Sequence, residues 1–278
     1  MKELKVINTV EEFIGFVRDY YLNHSFKKHL FFRGVPNKDF DLLPSVFRIE
    51  GTQSPYSEKD IFLDFMQYAP ANNIVYDFVK DCDKVLSDMQ HFGMPTRLLD
   101  WTVNPLIALY FACQTSDSYN DGRVYVFDPW RYNRTISSYG SIYMNHDINI
   151  YARSLLVYDW NNDLEIEAHI KHKYLTSVSL NSDLKMDLPF AYVSPFSNNR
   201  KLYQRGCFII YGKDRTPFNK MKQSAPFMDY VTVKLNDKAK ILDHLNLLYV
   251  NDYSVYPDYV GMSGMIRKYG SLFNTNKR

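Results

Sequence analysis

The sequence predicts an α+β fold: one domain with helices near the N-terminus and a mixed or antiparallel sheet built largely from the later part of the chain. Three observations predict it. Helical periodicity dominates the first ninety residues. Short apolar strand patterns dominate the last third. Between them there is no regular βαβ alternation, no internal repeat and no low-complexity segment. At 278 residues the chain is long enough to bury a large core.

In chain order, the N-terminal Met1-Lys2-Glu3-Leu4-Lys5 reads as the start of a polar helical pattern. Thr9-Val10-Glu11-Glu12 is a capping box, and Val10, Phe13, Ile14, Val17, Tyr20 and Tyr21 follow at helical spacing, so a helix is expected over 10–23. His29 to Gly34 reads as a buried strand, broken by Val35-Pro36. Leu42 to Val46 is expected to be extended around Pro44. Ser57 opens a second helix with Ile61, Phe62, Phe65 and Met66 on one face, and a third is expected over 74–90. After Pro95 the chain is extended to Trp101. Asn104-Pro105 then starts a helix that is apolar nearly all round and therefore buried. Arg123 to Phe127 is a strand. From 130 to 199 the pattern weakens, apart from one helical piece over 163–174. Strands return at 206–211 and 230–235, and helices at 237–248 and 259–268.

The composition limits the function. Lys and Arg total 33 against 31 for Asp and Glu, a net charge of +2 that excludes a strongly cationic surface but not a local basic patch. Cys82, Cys113 and Cys207 have neither disulfide-framework nor zinc spacing and read as reduced thiols. The longest apolar run, Leu106 to Cys113, is far short of the ~20 residues that span a bilayer, and the N-terminus is no signal peptide. A soluble, cytoplasmic protein with no membrane partner is expected. Phe, Trp and Tyr make up 16% of the chain, which implies a ring-rich core or ring-lined grooves.

The densest polar stretch is Gln90 to Thr102, set in an apolar region. Leaving such groups buried and unpaired costs ~1–3 kcal/mol each. Either they form an internal network, with Arg97 and Asp100 as a couple and Thr96 and Thr102 as caps, or they line a cleft floored by the buried helix. Arg33, on an apolar strand beside Gly34, needs a carboxylate, a carbonyl cluster or a ligand phosphate, and Gly34 allows close backbone approach. His169 and His172 share a helical spacing without further ligands, so no metal is expected. Glu165 and Glu167 read as a solvated face. No Walker, dinucleotide or serine-hydrolase motif occurs.

Phe32-Arg33-Gly34, the block from Gln90 to Thr102 and the following Asn104 to Ala112 resemble the FRG domain family. Gln204-Arg205-Gly206-Cys207-Phe208 and Tyr256 to Met262 resemble its later blocks, with Tyr256 for Phe and Val260 for an acid. On that resemblance the whole of 1–278 is one FRG-like domain, with 130–199 an insertion variable within the family.

A more distant resemblance, to NAD-dependent ADP-ribosyltransferases, supplies a mechanism. It implies that Arg33 holds a phosphate or ribose of NAD and that Thr102 orients the Arg33 strand. Trp101 or Phe92 would stack on nicotinamide. The catalytic set implied is Arg33, Asp100 and Gln204. The substrate-binding set is Gln90, His91, Thr96, Arg97, Trp101 and Thr102. The sequence departs from that pattern just before Gly206, where 199–205 contain no carboxylate. Gln204 carries no charge there, and Asp100 is the acid that could replace it by position. Three functions follow as alternatives: an NAD-binding, ADP-ribosyltransferase-like effector or toxin of bacterial or phage conflict; a non-catalytic FRG module that senses a nucleotide or protein; and a protein that acts on nucleic acid. Convergence of Arg33, Gln90, Thr96, Arg97, Asp100 and Gln204 on one pocket favours a small ligand.

Overall fold

A seven-stranded mixed sheet runs through the centre of the computed structural model, which describes residues 1–23, 30–49, 57–77, 80–114, 119–136, 148, 152, 155–156 and 188–270. The strands are β1 (Glu3–Ile7), β2 (Phe31–Val35), β3 (Leu98–Thr102), β4 (Gly122–Phe127), β5 (Phe190–Tyr192), β6 (Gly206–Ile210) and β7 (Met228–Val233). Their spatial order is β1-β7-β4-β2-β3-β6-β5. Only β1 and β7 pair in parallel; the other neighbours are antiparallel. The expected α+β class holds, and five of the seven strands lie from Leu98 onward.

The helices are α1 (Val10–Asn23), α2 (Ser45–Ile49), α3 (Glu58–Tyr68), α4 (Cys82–His91), α5 (Pro105–Cys113), α6 (Pro129–Ile136), α7 (Asn199–Gln204), α8 (Lys238–Leu247), α9 (Asp252–Val255) and α10 (Tyr259–Tyr269). Strand alternation divides the core between the two faces of the sheet. On one face Phe32, Val124, Val126, Val231 and Val233 pack under α1, α5 and α8. A neighbouring cluster on α3 and α4 includes Phe62, Val85, Leu86 and Met89 and covers Leu98, Phe208 and Ile210. On the opposite face Phe31, Leu99, Trp101, Tyr125, Phe127 and Ile209 close over Tyr132 and Phe218.

Helix α5 is the central buried helix, as its composition requires. Asn104 caps it by accepting the Leu106 N–H at 3.0 Å, and Pro105 opens it. It lies so close to the sheet that a Cβ on Gly34 would sit 1.8 Å from the Ala108 carbonyl oxygen, and one on Gly122 would sit 2.1 Å from that of Ala112. Gly34 is therefore required by packing against a helix backbone.

Several expectations are corrected. The N-terminal residues form strand β1, not a helical start: β1 pairs with β7, and among its residues only Ile7 is buried. Leu42 to Val46 is not extended throughout, because α2 begins at Ser45, directly after Pro44. The third helix starts at Cys82 instead of residue 74. Asn73, in the left-handed region at φ 57°, caps the preceding 3-10 turn, and a non-helical stretch follows. Helix α6, strand β5 and helix α7 arise within or beside the weakly patterned stretch. His29 and the helical piece over 163–174, with Glu165, Glu167, His169 and His172, lie outside the described residues. Among the described residues no helix is long and apolar enough to cross a membrane.

Candidate functional site

The sheet opens between β2 and β3. Strand β2 pairs with β4 at five positions and β3 with β6 at five, but β2 and β3 pair only at Phe32 and Thr102. Beyond that pair the ladder is lost, and the Asp100 carbonyl has no backbone donor from β2. The Arg33 guanidinium takes over, donating from Nη1 to that carbonyl oxygen. A side chain thus completes a sheet edge that the backbone leaves unpaired.

A cleft of about 230 Å³ lies at this opening. Phe32, Arg33 and Gly34 form one side and Asp100 and Thr102 the floor. Ser87, Gln90 and His91 come from α4, and Ile107 and Phe111 from α5. The remaining wall is Asn198, Arg200, Lys201 and Gln204 on α7, then Gly206 and Phe208 on β6. Local geometry explains the α4 set: positions 87, 90 and 91 lie three and four apart and share one helix face. On α7, Asn198 caps the helix by accepting the Lys201 N–H at 2.9 Å, and 200, 201 and 204 recur on one side.

Asp100 is held by α4. Gln90 Nε2 donates to Asp100 Oδ2 at 2.9 Å. The amide is oriented by Thr96, whose hydroxyl donates to Gln90 Oε1 and also accepts the Leu98 N–H at 3.2 Å. Thr96 is wholly buried and does not line the cleft. It acts through Gln90 and not on a ligand.

The cleft is basic. Among the described residues Arg33, Arg200 and Lys201 border it with a single carboxylate, Asp100; Arg33 leaves β2 on the Tyr125 face of the sheet, and its guanidinium meets the opening at the Asp100 carbonyl. Lys201 is buried, and its Nζ donates to Ser194 Oγ at 2.8 Å and the Pro195 carbonyl at 2.9 Å. Among the described residues neither Lys201 nor Arg33 forms an ion pair. Burial pushes the Lys201 ammonium down to about 8, opposed by Asp88 and Asp83. Burial likewise lowers the Arg33 guanidinium from its ordinary value, against the pull of Asp100. His91 is lowered first by burial and then by Arg200, so it faces the cleft as a neutral imidazole near pH 7. Among the described residues, four buried polar atoms of cleft-lining side chains lack partners: Arg33 Nε, Ser87 Oγ, His91 Nδ1 and, on the far-side core ring, Trp101 Nε1.

The sequence-predicted set divides. Arg33, Gln90, His91, Asp100, Trp101, Thr102 and Gln204 all border this cleft, whereas Thr96 and Arg97 do not. Arg97 is not coupled to Asp100. Its Nε and Nη2 donate to Glu58 at 2.7 Å and its Nη1 to the Tyr211 carbonyl at 3.2 Å. In a strand, residues three apart point to opposite faces, which breaks the expected couple. The Trp101 ring packs on Phe127 at 5.4 Å and Phe218 at 6.2 Å in the far-side core, and Phe92 is exposed outside the cleft. Neither ring is a stacking platform there; Phe111 and Phe208 are rings that border the cleft. Thr102 does not orient the Arg33 strand through its hydroxyl. That hydroxyl donates to the Gln204 carbonyl at 2.6 Å and accepts the Asn104 N–H at 2.8 Å, tying β3 to the turn before β6 and to the cap of α5. Gln204 Nε2 donates to the Val255 carbonyl at 3.0 Å. Nothing in the sequence singles out Arg200 and Lys201. Among the described residues no three His, Cys, Asp or Glu side chains gather to hold a metal.

These features define an α+β domain with a basic, partly buried cleft where its sheet splays. Within it, residues 28–121 match the FRG domain family, so an FRG domain is present in this chain. The match takes in β2 through α5 and therefore Arg33, Gln90 and Asp100, while α7 and β6 lie beyond it. No curated protein and no solved structure matches the chain.

Proposed function

We propose that the FRG domain of this chain, closed by α7 and β6, binds a nucleotide of the NAD type. The observation that carries the reading is that two cations outside any ion pair, the half-buried Arg33 and the buried Lys201, border one cleft. Taking an unpaired cation out of water costs several kcal/mol. A ligand phosphate would offset that cost at the buried Lys201 and pair the half-buried Arg33. The volume of about 230 Å³ is below the ~300–1,000 Å³ typical of drug-sized sites. It suits one phosphorylated ribosyl unit and its ring, with the rest of a dinucleotide outside. Asp100, oriented by Gln90 and Thr96, offers carboxylate acceptors to a sugar diol. Phe111 and Phe208 offer ring faces.

A second reading, transfer of ADP-ribose, is favoured by one observation: among the described residues Asp100 is the sole carboxylate lining the cleft. NAD supplies a glycosidic bond whose cleavage leaves positive charge on the ribose. A carboxylate beside the sugar stabilises such charge.

The test is thermal denaturation with NAD, ADP-ribose, ATP or a mixed oligonucleotide. The expected result is stabilisation by NAD or ADP-ribose that is lost in Arg33→Ala. Stabilisation by the oligonucleotide alone, falling steeply with salt, would place the protein with nucleic-acid binders and overturn the reading.

A further inference from the structure

We infer that the α4–α7 wall of the cleft is a subsite for a terminal phosphate monoester, formed by Ser87, Arg200 and Lys201. The ligand would then carry a phosphate dianion at one end and not only bridging phosphates. This rests on the nucleotide reading above and narrows it to a phosphorylated class.

Four observations on α4 and α7 support the subsite. Ser87 is 2% exposed, borders the cleft, and its Oγ has no partner. A buried helical serine ordinarily satisfies its hydroxyl on the carbonyl one turn back, and this one does not. The Lys201 ammonium has three donors, two of them committed to Ser194 Oγ and the Pro195 carbonyl, which leaves one for a ligand. Arg200 lays its guanidinium over the Tyr256 ring, 4.6 Å from the centroid. Stacking uses the face of the guanidinium and leaves N–H groups in its plane for a phosphate oxygen. His91 adds a neutral ring with an unpartnered Nδ1.

The charge count selects the dianion. Among the described residues, no carboxylate lines the wall that carries these two cations. Asp88 and Asp83 are the acids that act on Lys201. Asp88 is engaged by the Tyr76 hydroxyl at 2.9 Å and the Ser197 hydroxyl at 3.2 Å. Burial raises Asp83 to about 6. A bridging phosphodiester offers one charge and two free oxygens; a monoester offers nearly two charges and three oxygens, matching Ser87, Arg200 and Lys201.

The experiment is calorimetric titration of the whole chain with matched pairs: NADP against NAD, and AMP against adenosine. The monoester of each pair is expected to bind about tenfold tighter or more, as charge-assisted hydrogen bonds allow. Ser87→Ala and Lys201→Gln should each narrow that ratio towards one. Ser87→Ala, which deletes one oxygen, keeps the test usable if Lys201→Gln does not fold. Equal binding of NADP and NAD in the wild type overturns the subsite and leaves the nucleotide reading standing. Binding of pyrophosphate that depends on Ser87, with no nucleotide bound, supports the subsite and overturns the nucleotide reading. No binding of any probe overturns both.

Discussion

Arg33→Ala and Arg97→Ala should have opposite consequences, although both remove a guanidinium from the FRG-matched region. Arg97 is a structural residue. Its side chain is 11% exposed and that of Glu58 is 5% exposed. Glu58 accepts from the Arg97 backbone N–H as well as from the guanidinium, each at 2.7 Å. Truncating Arg97 leaves the Glu58 carboxylate buried with its main partner gone, which costs ~3–5 kcal/mol. For a domain of this size 1 kcal/mol moves Tm by ~2–4 °C. The expected fall is therefore ~6–20 °C.

Arg33→Ala removes one hydrogen bond to the Asp100 carbonyl and strands no carboxylate, because Gln90 still holds Asp100. A charge-assisted bond is worth ~1.5–3 kcal/mol. Its loss is partly offset because a half-buried cation outside any ion pair is no longer held from water. The fold should stay within ~1 kcal/mol of wild type. What should disappear is the response to ligand. A nucleotide at a hundred times its Kd stabilises by ~2.7 kcal/mol, or ~5–11 °C on the same scale. Melting curves of wild type and both variants, with and without NAD, decide the matter. If Arg33→Ala melts as low as Arg97→Ala, and no nucleotide stabilises the wild type, Arg33 is an anchor of the fold and the ligand argument is wrong.

Other outcomes follow from the same geometry. Gly34→Ala would push a Cβ to 1.8 Å from the Ala108 carbonyl oxygen and 2.7 Å from the Ala112 nitrogen, both backbone atoms of α5. Overpacking of this kind should cost ~3 kcal/mol or more in urea denaturation, and a loss below ~1 kcal/mol would contradict the placement of α5. Asp83, lifted by burial from 3.8 to about 6, ionises more readily in the unfolded chain. The stability it gives below about pH 4 should be lost as the pH rises through about 6. Asp83→Asn should flatten Tm against pH in that window, and an unchanged slope would show that Asp83 is not the group responsible. Lys201, lowered to about 8, should make affinity for AMP fall as pH rises through 8 in the wild type. A flat affinity from pH 7 to 9 would count against Lys201 as a ligand cation.

Local signals made much of the fold legible. The capping box at Thr9 and the spacing from Val10 to Tyr21 mark α1, and Asn104-Pro105 marks α5. Strand β1 was not legible. It buries one residue of five, and its partner β7 lies more than two hundred residues away. Long-range pairing of that kind leaves no local period. In the site, Arg33 and Asp100 stand out as charges in apolar strands. Arg200 and Lys201 do not, because two cations on a six-residue helix look like a solvated turn. The available signal was the Asn198 cap, which fixes the helix start and puts 200, 201 and 204 on one side.

Phe32, Arg33 and Gly34 do three separate things at the place where the sheet parts. Phe32 makes the single register pair with Thr102 and fills the core beneath α5. Gly34 lets the α5 backbone lie directly on β2, which brings Ile107 and Phe111 to the cleft. Arg33, between them, reaches across the gap to the Asp100 carbonyl that β2 no longer pairs. Were the ladder continuous, Asp100 would bond to β2 and no cleft would open. Were Arg33 apolar, the Asp100 carbonyl would be left unsatisfied at the opening. The three residues thus set both the opening of the sheet and the charge that faces it. The α7 wall, supplied from beyond the FRG-matched stretch, adds Arg200 and Lys201 and so raises the demand for an anion. On the proposed nucleotide reading, the FRG-matched segment would fix where the ligand sits, and α7 would determine how strongly it must be charged.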